Sequence, residues 1–77
     1  MQSDIRKWLN RIRWHEAYDF DRVRVWYVNR GSPGARACVW GSDIIDLESH
    51  FVLTKQGAIP YHRILRIQYA GRTIFPD

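Results

Sequence analysis

The stretch Arg22-Val23-Arg24-Val25-Trp26-Tyr27-Val28-Asn29-Arg30-Gly31-Ser32-Pro33-Gly34 decides the fold class. Its apolar residues recur every second position, so Val23, Val25 and Tyr27 point one way and Arg24, Trp26 and Val28 the other, as in a strand with a mixed outer face. The breakers Arg30 to Gly34 then force a turn, after which Arg36 to Trp40 resumes extended character. A β-hairpin follows from this pattern, and the rest of the chain is read around it.

Upstream the period is different. Ile5, Trp8, Leu9 and Ile12 follow i, i+3, i+4, i+7, one buried stripe of an amphipathic helix that Ser3 or Asp4 can cap and that ends near Arg13. Trp14 falls about half a turn from that stripe. Residues 15–21 form a polar connector with Tyr18 and Phe20 as anchors. Downstream, Gly41-Ser42 breaks the second strand, Asp43 to Leu47 is a short strand or connector, and Phe51 to Thr54 is a strand ending in the turn Lys55-Gln56-Gly57. Ile64 to Tyr69 sets Leu65, Ile67 and Tyr69 against Arg66 and Gln68, and Ala70-Gly71 closes a tight hairpin into Thr73 to Phe75. The expectation is one α+β domain over residues 1–77: an N-terminal amphipathic helix on a strongly twisted, mainly antiparallel sheet of about five or six short strands, curled far enough that a small barrel is the limiting case.

Composition narrows the function classes. A chain of 77 residues buries only about 60% of its unfolded surface, so its core must be dense. Four Trp, four Tyr and three Phe supply that density. Trp8 and Trp26 are expected in the core, and Trp14, Trp40 and Tyr61 at the surface. The lone Cys38 excludes an internal disulfide and a cysteine zinc cluster, and fits a reducing compartment. With no membrane-length apolar run and no leader pattern, a cytoplasmic location is the default. Twelve basic against eight acidic residues give a net charge of +4, and Lys7 and Lys55 are the only lysines. An arginine-rich balance of this kind favours polyanionic partners. The three histidines, His15, His50 and His62, lack metal-ligand spacing, and no Gly-rich phosphate loop joins a strand to a helix. Neither a metal nor a cofactor is expected.

The chemistry-bearing word is Ile59-Pro60-Tyr61-His62-Arg63-Ile64. Branched residues at both ends want burial, while Pro60 removes a backbone donor and turns the chain out of a ladder. His62 and Arg63 then sit at a turn beside a strand: a rigid five-donor fork suited to phosphate next to an imidazole that exchanges protons near neutrality. Arginine interleaved with aromatic residues, as in Arg24-Val25-Trp26-Tyr27, suits base stacking and phosphate contact. Two alternatives stand beside RNA binding. In one, a structural or protein-interaction module that could form a homodimer, Arg30 and Arg63 pair with carboxylates such as Asp43 or Asp46. In the other, a phosphodiesterase, two histidines flank one phosphate.

Taken together, Leu9-Asn10-Arg11-Ile12-Arg13-Trp14, Tyr27-Val28-Asn29-Arg30-Gly31-Ser32-Pro33-Gly34, the Ile59–Ile64 word and Gly71-Arg72-Thr73-Ile74-Phe75 resemble a small, mainly archaeal family known as the RNA cyclic group end recognition domain. The resemblance runs nearly the full length. It implies a stand-alone module of RNA processing or repair, elsewhere fused to RNA-end-processing enzymes, that recognises 2′,3′-cyclic-phosphate RNA ends. Because His62 has no paired His-x-Thr element, binding of a phosphorylated or cyclic-phosphate 3′ end is expected ahead of catalysis. Carried over by position, the resemblance makes Arg30, His62 and Arg63 the phosphate-binding candidates, with Tyr61 as a stacking neighbour. Arg13, Trp14, His15 and Glu16 are accessory candidates. After its tryptophan the family pattern carries an acid; here His15 stands in that place with Glu16 beside it.

Overall fold

The computed structural model describes residues 2–76. One helix, α1 (Gln2–Trp14), is followed by seven strands: β1 (Val23–Val28), β2 (Arg36–Trp40), β3 (Ile44–Leu47), β4 (Phe51–Thr54), β5 (Gly57–Pro60), β6 (Ile64–Tyr69) and β7 (Arg72–Phe75). They form two antiparallel sheets, one of four strands in the order β2-β1-β6-β7 and one of three in the order β3-β4-β5. The α+β class and the N-terminal helix are as expected; a single sheet and a closed barrel are not.

Two corners explain the split. Short 3-10 turns at Gly41–Asp43 and Tyr61–Arg63 separate β2 from β3 and β5 from β6, and each ends its ladder where the chain changes sheet. The first corner requires glycine, because a Cβ at Gly41 would collide with the Phe20 carbonyl. At the second, Pro60 does not leave the ladder as expected. It is the last residue of β5, opposite Phe51, on an edge strand where a missing N–H is tolerated.

The helix stripe behaves as its spacing dictates: Ile5, Leu9 and Ile12 are buried against Val23, Val25, Val39, Ile44, Leu47, Val52, Ile59, Ile64 and Ile67 in one cluster. Each such side chain contributes about 1.5–3 kcal/mol by leaving water. Ser3 and Asp4 lie inside the first helical turn rather than capping it, and Asp4 places negative charge where the helix dipole favours it. Trp8 and Trp26 are half-buried, not core, while Trp14 is 75% exposed and Trp40 46%. The connector is tied down by the Asp19 N–H donating to the Tyr69 hydroxyl at 2.7 Å and by Tyr18 meeting the Tyr69 ring edge to face at 5.1 Å.

The phase of β6 also differs from the sequence reading. Trp26 pairs with Arg66 but Tyr27 pairs with Ile64, so Leu65 is an extra residue, a β-bulge. The bulge sends Leu65, 40% exposed, outward instead of inward and leaves Ile64 to fill the core. β3 bulges likewise at Ile45. There Arg13 at the end of α1 donates to the Ile45 carbonyl at 3.1 Å and meets Asp46 at 3.4 Å, fastening helix to strand.

Candidate nucleic-acid interface

The turn Tyr61–Arg63 is held from inside. The Tyr61 ring is 1% exposed, its hydroxyl donates to the Glu48 carbonyl at 2.6 Å, and its N–H donates to the His50 carbonyl at 3.3 Å. The Ile64 N–H closes the turn onto the Tyr61 carbonyl, and α1 packs against it. Burial pushes the Tyr61 hydroxyl above the usual value of 10; the Arg6 guanidinium opposes this, and Glu48 and Asp46 add to it. The phenol is therefore a neutral donor at physiological pH. This corrects the expectation that Tyr61 is exposed and stacks on a ligand: its one polar atom finds a carbonyl inside, so nothing prevents the ring from joining the core. Tyr61 acts as the peg on which its two neighbours are mounted.

Those neighbours face solvent, since His62 and Arg63 are both exposed. Among the described residues neither Arg63 nor Arg30 forms an ion pair. The carboxylates that could have absorbed them are engaged elsewhere, Asp43 with Lys55 at 3.9 Å and Asp46 with Arg13 at 3.4 Å. Arg63 lines a cavity of about 200 Å³ together with Tyr27, Val28 and Asn29 of the first hairpin and Gln56 and Pro60 of the second sheet. The hairpin end and the turn thus meet at one place. Arg30 is exposed immediately after Asn29 but does not itself line the cavity. Its loop is ordered by Asn29, whose Oδ1 accepts from the Gly31 N–H at 3.2 Å and whose Nδ2 donates to Ser32 Oγ at 3.0 Å.

The accessory candidates lie apart from this cavity. Arg13 is committed to Ile45 and Asp46 and its guanidinium lies 5.3 Å from the Trp14 ring centroid. His15 meets Tyr18 at 5.3 Å, and its Nδ1 accepts from the Ala17 N–H. None of Arg13, Trp14, His15 and Glu16 lines the cavity that holds Arg63. Among the described residues no three of His, Cys, Asp and Glu come together as a metal cluster, and no helix is long and apolar enough to cross a membrane.

Two residues of this region, Asn29 and Gln56, are not singled out by the sequence, and His50, one of its three histidines, is not placed beside the turn by spacing alone. The register that pairs Phe51 with Pro60 sets His50 opposite Tyr61, so recognising β5 would have found it. The charge distribution was also only half legible. The four strands of the larger sheet carry Arg24, Arg36, Arg66 and Arg72 and no carboxylate, whereas the smaller sheet contains Asp46 and no cation.

Comparison with known proteins agrees with this arrangement of motifs. The family model of the MJ1316 RNA cyclic group end recognition domain matches residues 1–76. A UPF0248 protein of Archaeoglobus fulgidus is 35% identical over 68 residues, covering 87% of this chain and 96% of the relative. Another, from Pyrobaculum islandicum, is 31% identical over 68 residues, covering 83% and 76%, and one from Methanopyrus kandleri is 31% identical over 51 residues, covering 66% and 69%. No solved structure matches the chain. With nearly every residue inside the family model, and archaeal relatives aligned over most of their own length, the chain belongs to the RNA cyclic group end recognition domain family.

Proposed function

We propose that this protein is a binding module for the phosphorylated or 2′,3′-cyclic-phosphate 3′ end of RNA, held at the turn Tyr61–Arg63. The observation that carries the reading is the state of Arg63: exposed, without a carboxylate partner among the described residues, and at a cavity shared with the first hairpin. A cyclic phosphate presents two non-bridging oxygens, which a guanidinium fork meets with two parallel hydrogen bonds. His62 supplies a further donor beside it, and Arg30 directly follows Asn29, which lines the same cavity. The name of the family points the same way. A role in RNA processing or repair, alongside an enzyme that makes or consumes such ends, follows from that reading.

The test compares RNAs that differ only at the 3′ end. Arg63→Ala and His62→Ala each weaken binding of the cyclic-ended RNA by about tenfold, the worth of a charge-assisted hydrogen bond, while the fold is retained because both side chains are exposed. Equal affinity of the wild type for cyclic-ended RNA, hydroxyl-ended RNA and duplex DNA removes end recognition. A hydrolytic reading is favoured by one observation: the Tyr61 N–H bond to the His50 carbonyl sets a second histidine beside the turn that bears His62. It requires that cyclic ends be opened to a monophosphate by water, and that His50→Ala and His62→Ala each abolish the opening.

A further inference from the structure

The outer face of the four-stranded sheet carries a second surface, which shares only Val28 with the cavity of Arg63. Because Val23 and Val25 point into the core, Arg24, Trp26 and Val28 point out. Their cross-strand partners on the same face are Trp40, Cys38 and Arg36 of β2, and Gln68 and Arg66 of β6. The bulge adds Leu65, so two successive residues of β6 face outward. Trp26, Arg36, Leu65 and Arg66 line a cavity of about 300 Å³ there.

This face is ordered. The Arg24 guanidinium lies 4.4 Å from the Trp26 ring centroid and 5.0 Å from that of Trp40, so one cation bridges two indoles. Its Nε donates to Cys38 Sγ at 3.4 Å, and Trp26 Nε1 donates to Gln68 Oε1 at 2.9 Å. Rings already held against a guanidinium, and in Trp26 by the indole N–H as well, lose little freedom when something stacks on what remains. A solvated sheet face in a small protein ordinarily needs no tryptophan, and indoles beside arginines are the composition of contact surfaces.

We infer that this face is a stacking platform for single-stranded RNA, with bases on Trp40 and Trp26 and phosphates on Arg24, Arg36 and Arg66. Charge complementarity selects this occupant, since no strand of the sheet carries a carboxylate. An unpaired strand is required because only unstacked bases offer their faces to a ring. β6 starts one residue after Arg63, so a chain whose terminus rests at the turn has its preceding nucleotides within reach of the platform. The inference rests on the reading of the protein as an RNA binder but not on the chemistry of the end.

The experiment uses a hydroxyl-ended, unstructured RNA of about eight nucleotides, within the site size of single-strand binders, and follows tryptophan fluorescence and affinity. Wild type is expected to bind with quenching. Trp40→Ala and Arg66→Ala each weaken binding about tenfold, for hydroxyl-ended and cyclic-ended RNA alike, and Trp40→Phe restores most of the loss. Lys55→Ala, a cation in the turn between β4 and β5, leaves it unchanged. Arg63→Ala, by contrast, removes only the preference for the cyclic end, so loss of one reading is distinguishable from loss of the other. Unaltered affinity in folded Trp40→Ala and Arg66→Ala overturns the platform. So does equal binding of duplex RNA, which would mean charge without stacking, and so does a concentration-dependent dimer that Trp40→Ala abolishes while RNA binding persists.

Discussion

Tyr61 shows how one residue converts an apolar requirement into the geometry of an exposed turn. Its ring fills the core, its hydroxyl satisfies the Glu48 carbonyl, and its place in a tight turn leaves the next two residues no alternative but solvent. Tyr61→Phe removes the donor and leaves that carbonyl short of a partner, so a loss of about 1–2 kcal/mol is expected in chemical denaturation. The pH dependence has a definite sign. Because the hydroxyl is raised above 10 in the folded protein, it holds its proton more tightly there than in the unfolded chain. Its contribution is complete below the unfolded value of about 10 and is lost as pH rises through the folded one. Wild type is expected to lose stability across that alkaline window, and Tyr61→Phe to lose less of it; parallel decline of the two proteins would show that Tyr61 does not titrate in this way. That His62 and Arg63 are the polar pair of this word was legible from the branched residues around them. That Tyr61 goes inward was not, because an aromatic with a hydroxyl suits either side, and only the nearby Glu48 carbonyl decides.

The elements were legible in type and less so in their ends. The helix stripe, β1, β2, β4 and the hairpin into β7 follow from periodicity and breakers, which act over a few residues. In β5, Gly57 and Pro60 both argue for a turn and against a strand, yet pairing with β4 at the edge of a sheet overrides them. The bulge at Leu65 does not show in the alternation of β6 itself because its cause lies in the neighbouring strand, where Trp26 and Tyr27 take partners two residues apart in number rather than one. Corners carry the most restrictive requirement. Gly41 lets the end of β2 lie against the Phe20 backbone, and Gly41→Ala is expected to cost about 3 kcal/mol or more, read as a lowered denaturation midpoint with an unchanged slope. A fully stable Gly41→Ala protein would mean that this corner yields easily.

For the whole molecule the decisive feature is segregation of charge between sheets. A net charge of +4 is modest, but it is not spread evenly: the larger sheet is purely cationic along its strands, and Asp46 and Asp43 of the smaller region are paired with Arg13 and Lys55. Binding through such a face releases counterions, with a slope of log affinity on log salt of about −0.7 for each phosphate of a single strand. Three or four engaged arginines predict a slope of about −2 to −3 for wild type, reduced by about 0.7 in Arg66→Ala. Titrations at several salt concentrations measure it, and a slope near zero would exclude phosphate contact as the source of affinity.

By itself the sequence determined the α+β class, the helix and its buried stripe, the first hairpin, and the word whose polar pair is His62 and Arg63. These depend on side-chain period and on backbone restrictions at Gly and Pro, both of which act locally. Tertiary structure decided that the strands divide into two sheets rather than curling into one, that Tyr61 is a peg, that Asn29 and Arg63 line one cavity, and that Arg24 sits between two indoles. Each of these joins residues far apart in the chain, and which partners meet is settled by register, bulges and corners whose energies exist only once the sheets have formed.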